Sequence, residues 1–213
     1  MTFAVVSMSE AAADGDDDGY LRWHLLDHLP EQYGIDGVRL GERWRLVSPP
    51  VVAEPPFDRV EHVVMYLFDD RRLDAALDEF FALGAELHAG GRMPVSLPRV
   101  QVGGWSVTER LTSAHALVRP EVLPWRPHRG VFVIVEEGSP ANRLDELVAI
   151  DGIAGAWRFR RDGARHRRLP DAEGNVLTVC FVDGDLGAVP GDSPLLAASF
   201  EVVTVPARDD HAP

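Results

Sequence analysis

Three short stretches of this chain recur at a nearly constant offset, and that limits the folds open to it more than any other feature. Ile35-Asp36-Gly37 returns as Ile150-Asp151-Gly152, Trp44-Arg45 as Trp157-Arg158, and Phe68, ahead of an acidic turn, as Phe181. Each match takes the same place in a repeated order of elements: a helix exit, a second strand, the end of a third strand. Matches in register with a repeated element order read as an internal duplication.

The elements are read from hydrophobic periodicity. Residues 3–8, 38–46, 62–68, 131–135, 176–182 and 200–205 are rich in β-formers and predict strands. Helical spacing marks 20–29, 72–87 and 142–150; in the second of these, Leu73, Ala76, Leu77, Phe80, Phe81 and Gly84 form one stripe. The expected fold is α+β: tandem ferredoxin-like β-α-β-β-α-β units, residues 1–118 and 131–207, with 119–130 as a proline-rich linker and 208–213 as a disordered tail. Each such unit leaves one sheet face open. Packing the two open faces together predicts an intrachain pseudo-dimeric α/β barrel with helices outside.

Charge and composition exclude several function classes. A net charge of -13 argues against a nucleic-acid partner, because phosphate binding needs a basic surface. The single cysteine, Cys180, allows no intrachain disulfide and no cysteine cluster for zinc. No apolar run approaches the ~20 residues of a membrane span, and no basic region precedes the apolar N-terminal stretch. The expectation is a cytoplasmic protein with a small-molecule ligand, no nucleic acid and no membrane partner, with a homodimer left open.

Strand alternation assigns faces. Val38, Leu40, Trp44 and Leu46 share one face of their strand; Arg39, Gly41, Arg43 and Arg45 share the other. In 62–68, Val63, Met65 and Leu67 form a purely apolar face suited to packing under helices. His62, Val64, Tyr66 and Phe68 form a mixed face, the expected lining of the barrel interior. Arg39 or Arg43 facing a cavity would suit a carboxylate or phenolic ligand; the alternative is that these arginines reach water while their stems cover apolar surface.

The densest chemistry lies in "WHLLDHLPE", residues 23–31. His24 and His28 are neighbours at i, i+4, with Asp27 and Trp23 further round the helix and Pro30 expected to end it. His28 would then sit at a helix C-terminus, where the dipole favours imidazolium. Three readings stay open. His28 caps the helix end; or a histidine is a general acid/base oriented by Asp27 or Glu31; or His24, His28 and a carboxylate hold a metal.

The stretch W-H-x-x-D-H-L-P-E, followed by G-I-D-G-V and G-E-R-W, resembles the region from the first helix to the second strand of EthD-like proteins of the dimeric α/β-barrel superfamily. The similarity spans residues 20–44 and departs at Asp36, where many relatives carry proline. It implies a cofactor-independent enzyme of isomerase, dehydratase, cyclase or oxygenase type acting on an aromatic or polyketide-like substrate, or a non-catalytic binding protein with the same cavity. It also implies that His28 lies near the ligand. With it, His24, Asp27 and Glu31 are the expected catalytic group, and Arg39, Arg43, His62, Tyr66 and Trp23 the expected substrate contacts, with no cofactor and no metal. In the second copy Ser139, Asn142, Arg143 and Asp145 stand opposite His24, Asp27, His28 and Pro30, so the cluster belongs to the first copy alone.

Other signals are weaker. Residues 14–19, DGDDDG, open like a calcium loop, but the twelfth position is Leu25 instead of Glu. Cys180 sits mid-strand among apolar neighbours and reads as inert. Ser113 and His115 lack a nucleophile-elbow motif.

Overall fold

The computed structural model describes residues 1–13, 17–93, 97–170, 174–185 and 194–204. The expected tail 208–213 lies outside them, as does part of the acidic stretch 14–19. Nine strands form: β1 (Phe3–Ser9), β2 (Val38–Leu46), β3 (Val52–Ala53), β4 (His62–Phe68), β5 (Arg99–Thr112), β6 (Gly130–Glu137), β7 (Ile153–Arg161), β8 (Asn175–Val182) and β9 (Leu196–Val202). All pairings are antiparallel. The order β2-β4-β1-β5-β7-β8-β6-β9 closes through β2–β9, and the short β3 adds to β9.

The tandem ferredoxin-like α/β expectation, with its pseudo-dimeric arrangement and tandem-repeat reading, is therefore corrected. The eight long strands make one closed antiparallel β-barrel with few helices. The halves of the chain join edge to edge by hydrogen bonding instead of face to face. The reason lies in β5, which runs for 14 residues. Its first part pairs with β1 and its last part with β7, from Trp105 opposite Arg161 to Thr112 opposite Gly155. The second seam sets Trp44, Arg45 and Leu46 against Val202, Glu201 and Phe200. Closure gives each long strand a hydrogen-bonded neighbour on both sides for at least part of its length, which limits the exposed edge that an open sheet must otherwise manage. The matched glycines do share a left-handed backbone, Gly37 at φ 123° and Gly152 at φ 88°. Each half also sets its four long strands in one order, β2-β4-β1-β5 and β7-β8-β6-β9, but among the described residues the helices are not repeated. Among its described residues the second half contributes one five-residue α-helix, α4 (Leu144–Val148), where periodicity predicted 142–150.

The expected faces are also reversed. Trp44, Val63, Met65 and Leu67, read as lying under helices, point into the barrel, where they join Met8, Trp105, Trp157 and Phe181 in a close-packed apolar interior. His62, Val64, Tyr66 and Phe68 face outward. Alternation separates the two faces of a strand, but both faces of β4 are buried, so hydrophobicity cannot say which one looks inward. The expected linker holds a 3-10 turn, Pro120–Trp125, whose Leu123 is buried against the interior cluster and whose Pro120 carbonyl accepts from Trp157 Nε1 at 2.8 Å.

Helices coat the outer wall of β2, β4 and β1. α1 (Asp17–Trp23), a π-helical turn (His24–His28) and α2 (Leu29–Tyr33) form one continuous arm, and α3 (Leu73–Ala89) lies beside it. Pro30 does not end the arm as expected. Proline offers no N–H, and in α geometry its ring would press on the carbonyl four residues back. The chain widens one turn instead, and the Leu29 N–H bonds the His24 carbonyl. Gly41 lets the arm approach β2, because a Cβ there would meet Leu29 Cδ1 at 2.5 Å and Tyr66 Cδ1 at 2.8 Å. Tyr33 Oη seals the contact, donating to the Gly41 carbonyl and accepting from its N–H. No helix among the described residues is long and apolar enough to cross a membrane.

Candidate functional site

Between the helical arm, α3 and the outer face of the barrel lies a cavity of about 810 Å³. Its floor is one row of outward-facing residues in strict register: Arg43 opposite Val64, Val64 opposite Ser7, and Ser7 opposite Val102. The arm supplies Tyr20, Trp23, His24, His28 and Gln32; α3 supplies Phe80, Phe81, Gly84, Ala85 and His88. Among the described residues no aspartate or glutamate lines it, in a chain that carries 34 acidic residues.

The π turn sets the two histidines. His24, only 1% exposed, has its Nε2 at 2.6 Å from Tyr66 Oη. His28 Nε2 accepts from Gln32 Nε2 at 2.9 Å, and its ring stacks on Trp23 at 5.0 Å. Each ring's Nδ1 is buried and unpartnered. Arg43, 4% exposed, lies over the Tyr20 ring at 5.1 Å and donates from Nη2 to Tyr20 Oη at 3.3 Å. Its Nε and Nη1 have no partner among the described residues. A buried guanidinium with free donors is costly and binds an anion where one is supplied.

Electrostatics follow from that arrangement. Burial, with the Arg43 charge adding to it, pushes His24 well below the usual histidine value and His28 down to about 4. The helix-end reading of His28, with a raised pKa, is thus corrected: the arm continues past it, and desolvation dominates. Burial likewise raises Tyr66. Both imidazoles are therefore neutral near pH 7. Because the unfolded chain binds these protons near pH 6.5 and the folded chain does not, stability is full above that pH and falls as pH drops toward 4. The slope reaches about 1.4 kcal/mol per pH unit for each such histidine. Burial works to lower His128 too, but the Glu42 carboxylate beside it raises it overall, so its contribution is fully present below 6.5 and does not oppose this loss. Urea midpoints from pH 7 to 4.5 should fall steeply for the parent and less for His28→Gln; parallel curves would contradict the assignment.

Of the residues expected from the sequence, Trp23, His24, His28, Arg43 and Tyr66 meet in the cavity. Asp27 is exposed, and Glu31 pairs with Arg92 at 2.6 Å, so Tyr66 and Gln32 partner the histidines in their place. Arg39 is exposed and holds Asp69 at 2.7 Å. His62 lies in the next floor row, its Nε2 at 3.1 Å from Asp17 Oδ2, where Asp17 pins the start of α1. Among the described residues, no group of three or more His, Cys, Asp or Glu is placed to hold a metal ion. Sequence reasoning missed Gln32, four residues after His28, and the aromatic pair Phe80–Phe81, which was counted only as a helix stripe. Cys180 is buried, its thiol pushed up to about 12 by desolvation. Comparison with models of protein families and with curated proteins finds no match.

Proposed function

We propose that this is an EthD-like cytoplasmic enzyme that moves protons, without a cofactor, on a small aromatic or polyketide-like substrate bound between the helices and the barrel wall. The observation that carries the reading is Arg43, a buried cation with two free donors among aromatic rings and neutral imidazoles. Such a group stabilises an oxyanion as it forms. In the proposed step, a neutral imidazole takes a proton from carbon next to a carbonyl, either His28 at the Nε2 that Gln32 releases to the substrate or His24 at its unprotonated ring nitrogen. The C–H electron pair forms the enolate C=C bond, the carbonyl π pair moves to oxygen, and that oxygen rests on Arg43. Return of the proton to another carbon completes an isomerisation and needs no co-reactant. Burial is the main cause of the low His28 value, and growth of the enolate beside Arg43 offsets the smaller part that the Arg43 charge adds.

One observation favours a second reading, a non-catalytic binding protein using the same cavity. A histidine with a pKa of about 4 is a weak base; among the described residues no carboxylate lines the cavity, and Glu31 raises His28 less than burial and Arg43 lower it. Solvent deuterium exchange separates the two. An aryl 1,3-diketone should exchange its α-proton at least tenfold faster with the parent protein than in buffer, and His28→Gln should lose most of that gain. Thermal stabilisation by the diketone with no faster exchange would assign the protein to binding. Neither effect would sink both readings.

A further inference from the structure

The cavity carries cations at both ends. Arg43 closes the inner end, and Arg99 and Arg168 line the opposite side, both exposed. They differ from their basic neighbours in one respect. Arg92 pairs with Glu31, Arg165 with Asp74 and Arg167 with Asp78, whereas no ion pair is formed by Arg99 or Arg168 among the described residues. The exposed Arg22, Arg119 and Arg160 also form no ion pair among the described residues, but none of them lines the cavity, so Arg99 and Arg168 are distinguished by sharing its rim.

Their placement is built in. Arg99 opens β5 and stands opposite Ser9, the row beside the floor row of Arg43. Arg168 arrives from the other half of the barrel on the segment between β7 and β8. That segment is pinned on both sides of Arg168: His166 stacks on Phe81 at 5.1 Å and approaches Asp78 Oδ1 at 3.2 Å, and Leu169 is buried in the outer cluster with Phe3 and Val5. From Arg43 to Val102 the floor crosses three strand spacings, about 14 Å between backbones. The two cationic ends are therefore separated by more than one aromatic ring.

Building on the phenolate or enolate site at Arg43, we infer that Arg99 and Arg168 form a second subsite for an acidic tail, so the cavity selects elongated dianions: an aromatic head with an acidic oxygen, and a carboxylate or phosphate at the far end. Guanidinium forks bind either group through paired charge-assisted hydrogen bonds. The tail distinguishes a free acid from a phosphorylated carrier or ester.

Calorimetric titration with three probes tests this: 5-(4-hydroxyphenyl)pentanoate, its neutral methylamide, and 5-(4-hydroxyphenyl)pentyl phosphate. The parent protein should bind an acid-tailed probe about tenfold more tightly than the amide, as expected for partly exposed charge pairs. In Arg99→Gln/Arg168→Gln that ratio should fall to within about twofold, and added salt should reduce it in the parent. Preference for the carboxylate identifies a free acid as the tail, and preference for the phosphate identifies a phosphate ester. Equal binding of acid and amide, or a ratio that the double variant leaves unchanged, overturns the second subsite alone. No binding of any probe overturns it together with the Arg43 reading. Both substituted arginines are exposed, so the variant should fold, as circular dichroism will show.

Discussion

Replacing Arg43 by methionine is expected to weaken binding of a phenolate-type anion about a hundredfold or more while leaving the empty protein at least as stable as the parent. The two halves of that expectation share one cause. Arg43 is 4% exposed, and two of its donors have no partner among the described residues. Each unmet donor in a buried site costs on the order of 1–3 kcal/mol, and each hydrogen bond to a bound anion returns about 1.5–3 kcal/mol. Methionine removes the desolvated charge at similar volume; it loses the contact with the Tyr20 ring and one hydrogen bond. The net gain in the empty protein should be up to about 2 kcal/mol. His24 and His28 should also move up toward their usual values, though not reach them, because burial is the larger cause of their depression. Denaturant unfolding, histidine NMR titration and anion titration read these effects separately. An Arg43→Met protein that is strongly destabilised would mean the guanidinium is a structural member, and the binding reading would lose its basis.

The residue after Arg43 supports the opposite expectation. Trp44 is fully buried in the barrel interior, and its Nε1 makes no hydrogen bond. Trp44→Ala should therefore cost about 3–5 kcal/mol, the penalty for emptying a large aromatic site in a close-packed core. The folded fraction should bind anions as the parent does, because Trp44 and Arg43 project to opposite sides of the wall. Neighbouring positions then separate cleanly, one governing binding and the other stability. Equal loss of affinity in Trp44→Ala would show that the interior and the cavity are one compartment.

The same pair of residues shows what was legible in the sequence. Period-two alternation placed them on opposite faces correctly, yet it assigned the faces to the wrong sides. A barrel wall coated by helices buries both of its surfaces, and a strand such as β4 is apolar on each. Closure was illegible for a different reason. It rests on two pairings far apart in sequence, β5–β7 and β2–β9, and β5 itself gives a poor strand signal because of Gly103-Gly104. Gly103 leaves room there for the Arg161 guanidinium, which a Cβ would meet at 2.0 Å. The internal matches were real for turns, single strands and the strand order of each half, but they carried no information about the helices, which among the described residues are not repeated.

For the site, composition did better than geometry. The cluster His24, His28 and Trp23 was visible because polar and aromatic residues at helical spacing stand out from an apolar stripe. Their true partners were not, because Pro30 was read as a stop. Without the π turn the helix would end before Gln32, and the acids Asp27 and Glu31 looked like the nearest partners. Arg99 and Arg168 come from separate strands and loops, so only the tertiary structure brings them to one rim.

Absorbance spectroscopy of 4-nitrophenol, whose colour reports its ionisation, tests the central claim most directly. Mixed with the parent protein at a pH below the probe's own pKa, it should develop the phenolate band, because Arg43 favours the anion, and it should not do so with Arg43→Met. Absence of the phenolate band in both proteins, or its equal appearance in both, would contradict an anion site at Arg43.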